Sequence, residues 1–379
     1  MSTARVYLDY NATAPLRPEA QQAALAAMTT GGNPSSVHGE GRRARKIVED
    51  AREKIAQLVG TAPANVVFTS GATEANNWAM IGGWETVIVP DIEHDSVLAS
   101  AKGCGASIVP VGVGPDGTVD VAAIAEAALL GPRDLAHGRT LVTLQSANNE
   151  TGALQPLADV ARFCRQHGLA VHSDTVQAIG RLPIAFDDLE LDMLSLSSHK
   201  IGGPTGVGAL VLRDGCQLRP LIAGGGQERR RRSGTENVIG IAGFGAAAEA
   251  ALRDLAHVER LAALRDRLER SVLALSPEAR VIAGDSQRLA NTSCIAMPTA
   301  AAETTLIKLD LAGIAVSSGS ACSSGKVGQS HVLSAMNVPP DLARGAIRIS
   351  LGWRTTDSDV DTFVAAWETL FGANKRAVA

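Results

Sequence analysis

Aromatic side chains are scarce in this chain, at 3% of its 379 residues, and acidic residues outnumber basic ones to give a formal net charge of -4. A nucleic-acid binder needs a basic face and stacking platforms, so this composition excludes nucleic acid as a partner. Cysteine is sparse as well, with five residues at positions 104, 164, 216, 294 and 322 and no CxxC pair. An odd count without metal-ligand spacing argues against a disulfide framework and against a resident metal. It fits a reducing compartment, the cytoplasm, where a reactive thiol survives. Long apolar runs are missing too: the most apolar stretch, IGIAGFGAAA, stops at Glu249, and the start MSTARVYLDYNATAP carries no charged leader with an apolar core. The expectation is a chain that neither spans a membrane nor is exported. No GxSxG elbow is present, which leaves a serine hydrolase with little support.

What the chain does have is 45% hydrophobic and 20% charged residues, enough for one large core and a second, smaller one. Short β-branched runs alternate with helical stretches: VVFT (66–69), VIVP (87–90), SIVPV (107–111), LVTLQS (141–146), LAVHSD (169–174), DMLSLS (192–197) and GALVL (208–212). Such alternation predicts an α/β fold with a mostly parallel sheet covered by helices. Ala44, Ile47, Val48, Ala51, Ile55 and Leu58 share one helical face. A second periodic stretch, Leu255 to Leu275, ends at Ser276 and Pro277 and suits a connector. The expected division is a large domain over 15–255 and a smaller α+β domain made of 1–14 and 256–379, which carries a Gly/Ser-rich loop at about 317–330.

Two residues carry most of the chemical information. Lys200 ends LSLSSHK, and Asp174 ends the apolar run LAVHSD. A lysine that can form an imine, one strand-loop-strand unit after a strand-end carboxylate, is what a pyridoxal phosphate enzyme requires: the lysine binds the cofactor and the carboxylate keeps its ring nitrogen protonated. Upstream, TSGATE follows a strand and opens a helix, so the amides at Gly71, Ala72 and Thr73 point at an anion or serve an ordinary helix cap. Asn149 and Gln177 follow strand ends, where ligands collect in open α/β sheets. His94 does so as well, as an exposed loop histidine or a proton carrier that stacks on a ring. Ser197, Ser198 and His199 bring hydroxyls and an imidazole next to Lys200, while GGGQERRRRSGTEN is either a solvated charged turn or a phosphate loop through Ser233, Gly234 and Thr235 that reaches a neighbouring subunit. Arg348 on AIRISLG suits a carboxylate clamp or a structural role. Cys322, in SSGSACSSGK, has small neighbours on an open loop and is a candidate nucleophile, whereas the other four cysteines lie in apolar or helical settings and read as inert.

Together these segments form a pattern. YLDYNATAPL, GNPSSVHGEG, FTSGATEANN, EHDSV, NNETG, HSDTVQ, SSHKIGGPTGVGAL, GGGQERRRRSGTEN and SSGSACSSG, in this order over nearly the whole chain, resemble the pyridoxal-phosphate-dependent cysteine desulfurases that feed iron-sulfur cluster assembly. SSGSACSSG followed by SHVLSAM resembles the NifS/IscS-like branch with a long catalytic loop. The resemblance implies a fold-type I, class V aminotransferase-like architecture with a seven-stranded large-domain sheet, a homodimer and pyridoxal 5'-phosphate as cofactor. It makes Lys200 the covalent anchor, Asp174 the partner of the ring nitrogen, Gln177 the donor to the ring oxygen and His94 the stacking residue. Ala72, Thr73, Ser197 and His199 then hold the phosphate, with Thr235 coming from the other protomer. Asn149 and Arg348 take the carboxylate of L-cysteine, and Cys322 receives its sulfur as a persulfide for acceptor proteins, such as an iron-sulfur scaffold or another sulfurtransferase. Cys322 is also the one residue read as a transient iron-sulfur ligand. The family commonly has an Arg directly after SLG, where this chain has Trp353 followed by Arg354. An aminotransferase and a selenocysteine lyase are rivals within the same fold. A cofactor-free binding protein is a rival of another class, opposed by the retained Lys200, Asp174 and His94.

Overall fold

The structure is a computed structural model that describes residues 5–130, 139–319 and 330–372. In chain order it forms β1 (Val6–Tyr7), β2 (Val66–Thr69), β3 (Thr86–Pro90), β4 (Ser107–Val111), β5 (Thr140–Thr143), β6 (Ala170–Asp174), β7 (Met193–Ser197) and β8 (Gly208–Leu212). The last seven make one sheet in the order β2-β8-β7-β6-β5-β3-β4. All its pairings are parallel except those of β8, which runs antiparallel to both β2 and β7. Every residue of β2, β3, β5, β7 and β8 is buried, which is why these strands read as unbroken apolar runs. Edge strand β4 is largely open and tolerates Pro110, since a proline at an edge sacrifices no interior ladder bond.

Helices cover this sheet. Gly39–Val59 buries Ala44, Val48, Ala51, Ile55 and Leu58, with Ile47 half-buried, and ends on the left-handed Gly60. It packs against Val238–Asp254 so closely that a Cβ on Gly245 would stand 2.6 Å from Ala51 Cα. At that crossing only glycine fits.

A second sheet, β12-β13-β10-β9, comprises β9 (Arg280–Ile282), β10 (Thr292–Ala296), β12 (Ser317–Ser318) and β13 (Ala346–Ser350), all antiparallel. β1 pairs beside it, in parallel with β11 (Ile314–Ala315). Helices Val258–Leu275 and Asp357–Phe371 close a separate apolar core over it, with Leu268, Val272, Phe363 and Trp367 inside. The Gly/Ser-rich stretch expected to be loop from residue 317 instead begins as β12, which pairs Ser317 with Arg348. Among the described residues no helix is long and apolar enough to cross a membrane.

Candidate functional site

The carboxyl ends of the parallel strands converge on one cavity of about 530 Å³. β2 leads to Ala72 and Thr73, β3 to His94, β5 to Asn149, β6 to Asp174 and Gln177, and β7 to Ser197, His199 and Lys200; all of these line the cavity, and Arg348 closes it from β13. Helix Ala72–Met80 starts on Gly71 without a side-chain cap, so no side chain claims its first amides and they are available to an anion.

Asp174 is almost fully buried. One carboxylate oxygen accepts from Asn76 Nδ2 at 2.7 Å and the other from the Val176 amide at 3.0 Å. Asn76 also donates to Ser96 Oγ at 2.9 Å, and that hydroxyl lies 2.8 Å from His94 Nδ1. Because Nδ1 accepts the Ser96 amide at 3.1 Å, a neutral His94 ring carries its proton on Nε2. Lys200 Nζ donates to the Asn11 carbonyl at 2.6 Å, and Gln177 Nε2 reaches the same oxygen at 3.2 Å. Burial first, and the charge of Lys200 second, push His199 down to about 4, so its imidazole is neutral near pH 7.

Arg348 is 1% exposed. Its guanidinium donates to the Asn149 carbonyl and to Asp9 Oδ1, both at 3.0 Å, while its Nε has no partner among the described residues. Within SANNETG the turn chemistry belongs to Asn148, whose Oδ1 accepts the amides of Glu150 and Thr151 at 2.9 and 3.0 Å, which leaves Asn149 on the cavity wall.

Other residues singled out in the sequence lie elsewhere. Ser198 is fully buried, its Oγ is unpartnered among the described residues, and it does not line the cavity, because the turn Ser198–Lys200 sets its hydroxyl against Gly203. Ser233 is buried too and donates to the Gly225 carbonyl at 3.0 Å. Thr235 and Gly234 line a separate cavity that shares Ser70 and Gly206 with the main one. The arginine run is more than a solvated turn: Glu228 is buried against Arg52, Arg232 pairs with Glu74 at 2.9 Å, and Glu228, Arg229 and Arg230 all hold positive φ. Trp353 lines a second cavity of about 240 Å³ that Lys200 also borders. The guanidinium groups of Arg17 and Arg354 lie over its ring, at 5.0 and 4.4 Å from the centroid. Cys322 lies outside the described residues. Of the others, burial raises Cys164 to about 12, Cys216 to about 11 and Cys294 to about 12, which leaves them unreactive thiols at neutral pH.

Several residues on or beside the cavity did not stand out in the sequence: Asn11, Thr13, Asn76, Ser96 and Glu93. Glu93 is wholly buried and its Oε1 accepts the Gln145 amide at 2.6 Å. Burial pushes its carboxyl up to about 8; the Gln145 bond works the other way and the charge of Asp174 adds to the rise. For Asn76 a hint was present, since two asparagines in the apolar helix ANNWAM require polar partners once buried.

Residues 6–363 match the family model described as aminotransferase class-V. The chain is 45% identical over 369 residues to a cysteine desulfurase of Cereibacter sphaeroides, covering 94% of this chain and 93% of that one. It is 40% identical to the cysteine desulfurase IscS of Dictyoglomus turgidum, covering 94% and 92%. Among solved structures, a NifS-like protein from Rickettsia africae superposes with a TM-score of 0.88 at 34% identity, covering 97% of this chain and 99% of that one.

Proposed function

We propose that the chain, which belongs to the class-V aminotransferase family and within it to the NifS/IscS-like cysteine desulfurases, uses this cavity to hold pyridoxal 5'-phosphate and to convert L-cysteine to L-alanine. The sulfur is left as a persulfide on Cys322. One observation carries the reading: Lys200 and Asp174, a lysine and a buried carboxylate, line the same cavity as an uncapped helix start.

The residues present fit the cofactor. The open amides of Ala72 and Thr73, with the side chains of Thr73, Ser197 and His199, suit a phosphate. The orphaned Nε of Arg348 suits a carboxylate. When bound, pyridoxal phosphate supplies an electron sink that makes the α-proton of an amino acid removable. Asp174, fixed by Asn76 and Val176, would keep the ring nitrogen protonated, while Gln177 would donate to the ring oxygen and His94 would pack on the ring. Lys200, oriented by the Asn11 carbonyl, anchors the cofactor and carries the proton to and from the substrate Cα. Arg348 and Asn149 fix the substrate carboxylate, which sets the direction in which its thiol points.

Cys322 attacks that thiol sulfur as a thiolate. The new S–S bond forms, the Cβ–S bond breaks with its electron pair left on the carbon that becomes the alanine methyl group, and His94 moves the accompanying proton. An acceptor protein, an iron-sulfur scaffold or another sulfurtransferase, collects the sulfur by attack on the persulfide. The chain works as a homodimer in the cytoplasm. Thr235 faces a different cavity within one chain, which supports its contributing to the phosphate site of a second copy. The two apolar cores support the two-domain division, with a boundary near residue 255.

The test is Cys322→Ser in the holoenzyme. The variant should keep its visible cofactor absorption and its response to L-cysteine, yet release no sulfide with dithiothreitol present. Sulfide release at the wild-type rate overturns the reading.

A further inference from the structure

The two described residues that flank segment 320–329 meet at one side chain. Gly319, before it, and Ser330, after it, both abut the carboxylate of Glu150. We infer that Glu150 is a positioning residue for sulfur transfer, fastening both ends of the segment that carries Cys322. The inference rests on the reading of Cys322 as sulfur acceptor.

The geometry is specific. Ser330 Oγ lies 2.6 Å from Glu150 Oε2. The same hydroxyl accepts the Leu333 amide at 3.0 Å as the cap of helix His331–Ala335, so its one proton is committed to Glu150. On the other side, a Cβ built on Gly319 would stand 2.1 Å from Glu150 Oε2, so the chain passes there only because residue 319 has no side chain. Glu150 is 2% exposed and is absent from the lining of the main cavity, so its carboxylate faces the stems and not the substrate.

Both stems are tied further to the site. Ser317 donates to Asp9 Oδ2 at 3.1 Å, and Asp9 holds Arg348. His331 Nε2 lies 3.0 Å from the Glu93 carbonyl, next to His94. The backbone of Glu150 is fixed by Asn148, whose Nδ2 reaches the Ile92 carbonyl at 3.4 Å. The clasp therefore joins the turn bearing Asn149, the turn bearing His94 and both stems. Burying a carboxyl is unfavourable unless its bonds repay it, and burial raises the pKa of Glu150 while the Ser330 bond opposes the rise. A group kept at that expense has a job, and its contacts identify the job as the stems.

Loosening the stems removes a restraint on where Cys322 is delivered. The effect falls on orientation, where a misplacement of about 1 Å slows a reaction by about 100-fold. The test compares wild type, Glu150→Ala, Glu150→Gln, Ser330→Ala and Gly319→Ala as holoenzymes in a single turnover with L-cysteine. One readout is the cofactor's absorbance change, which reports substrate binding and α-proton removal. The other is the persulfide on Cys322, by rapid quench, alkylation and intact mass.

Glu150→Ala should slow persulfide formation about 10- to 100-fold while the absorbance change stays within about twofold. Ser330→Ala and Gly319→Ala should reproduce the split more weakly, and Glu150→Gln, which retains an acceptor for Ser330, should recover most of the rate. Equal losses in both readouts, or no loss in any variant, overturn the inference. If Glu150→Ala does not fold, the two stem variants decide alone. A wild type that forms no persulfide on Cys322 would instead sink the functional reading on which the inference rests.

Discussion

Replacing Glu228 by glutamine tests how the arginine-rich loop is held. Arg52 and Glu228 face each other through two bonds of 2.8 Å, with side-chain exposures of 5% and 3%, and Glu228 Oε2 also accepts the Phe68 amide at 2.9 Å. Glutamine keeps the shape and loses the charge. With its oxygen in place of Oε2 it still accepts from Arg52 Nη1 and the Phe68 amide, but its NH₂ meets Arg52 Nη2 head-on. Arg52 retains the Val66 carbonyl at 2.7 Å and Glu49 at 3.2 Å, so its charge is left partly and not wholly unpaired. Breaking a buried pair from one side destabilises by about 3–5 kcal/mol, and the surviving partners put this case near 3 kcal/mol. With a urea dependence of about 3 kcal/mol/M for a protein of this size, the apoprotein's unfolding midpoint should fall by about 1 M. Tryptophan fluorescence reads it, since Trp78 and Trp84 are buried against the large sheet. The double variant Arg52→Met, Glu228→Leu removes both charges and should recover at least half of the loss, though not all, because the Phe68 amide then loses its acceptor. A midpoint shift below about 0.3 M for Glu228→Gln, equivalent to less than about 1 kcal/mol, refutes the claim that this pair holds the loop.

Asn76→Ala removes a charge-assisted bond of 2.7 Å to Asp174, worth about 1.5–3 kcal/mol, and should weaken cofactor retention by 10-fold or more in equilibrium dialysis; unchanged affinity counts against the Asn76–Asp174 link. Glu93, raised to about 8 in the folded chain, stays protonated there while the unfolded chain ionises near 4.5, so its contribution is complete below pH 4.5 and is lost as pH rises through 8. Glu93→Gln should therefore leave apoprotein stability near pH 4.5 little changed and raise it above pH 8, by at most about 5 kcal/mol, and urea midpoints at the two pH values check this. His172, bonded to Thr143 and Ser195 at 2.9 Å each and held down to about 4 by burial, acts in the opposite sense. Its contribution is present above pH 6.5 and is lost towards pH 4, up to about 3 kcal/mol, so the acid limb of the wild-type stability profile should be steeper than that of His172→Gln.

The large sheet was legible because both of its faces are buried: β2, β4 and β8 match the runs read at 66–69, 107–111 and 208–212, and the remaining strands differ by a few terminal residues. The reversed direction of β8 was not legible, since a buried apolar run carries no mark of its polarity. In the smaller sheet, β12 and β9 are two and three residues long, too short for an alternation to register. Strand-end residues such as Asp174 and Lys200 could be read because the fold's geometry gathers them. Asn11 and Ser96 could not, because each is defined by a partner remote in sequence: Asn11 bonds Thr292 and Ser96 bonds Asn76. Which of Ser197, Ser198 and His199 faces the cavity was not legible, because a one-turn 3₁₀ segment decides it.

The pairing of Asp9 with Arg348 spans 339 positions of sequence, and Asn11, between the two sheets, carries the carbonyl that orients Lys200. A ribosome adding about 5–20 residues each second needs roughly 20 to 70 s to separate the synthesis of those two partners. Throughout that interval the helices and strands of the large sheet can form, but the part of the cavity wall that Arg348 supplies is missing. The emerging chain is therefore unable to present a finished cofactor pocket until Arg348 has been made, and loading is a late event. Contacts this distant in sequence also make closure slow compared with the local folding that precedes it. Two segments this far apart in sequence act as a completion check on the pocket between them.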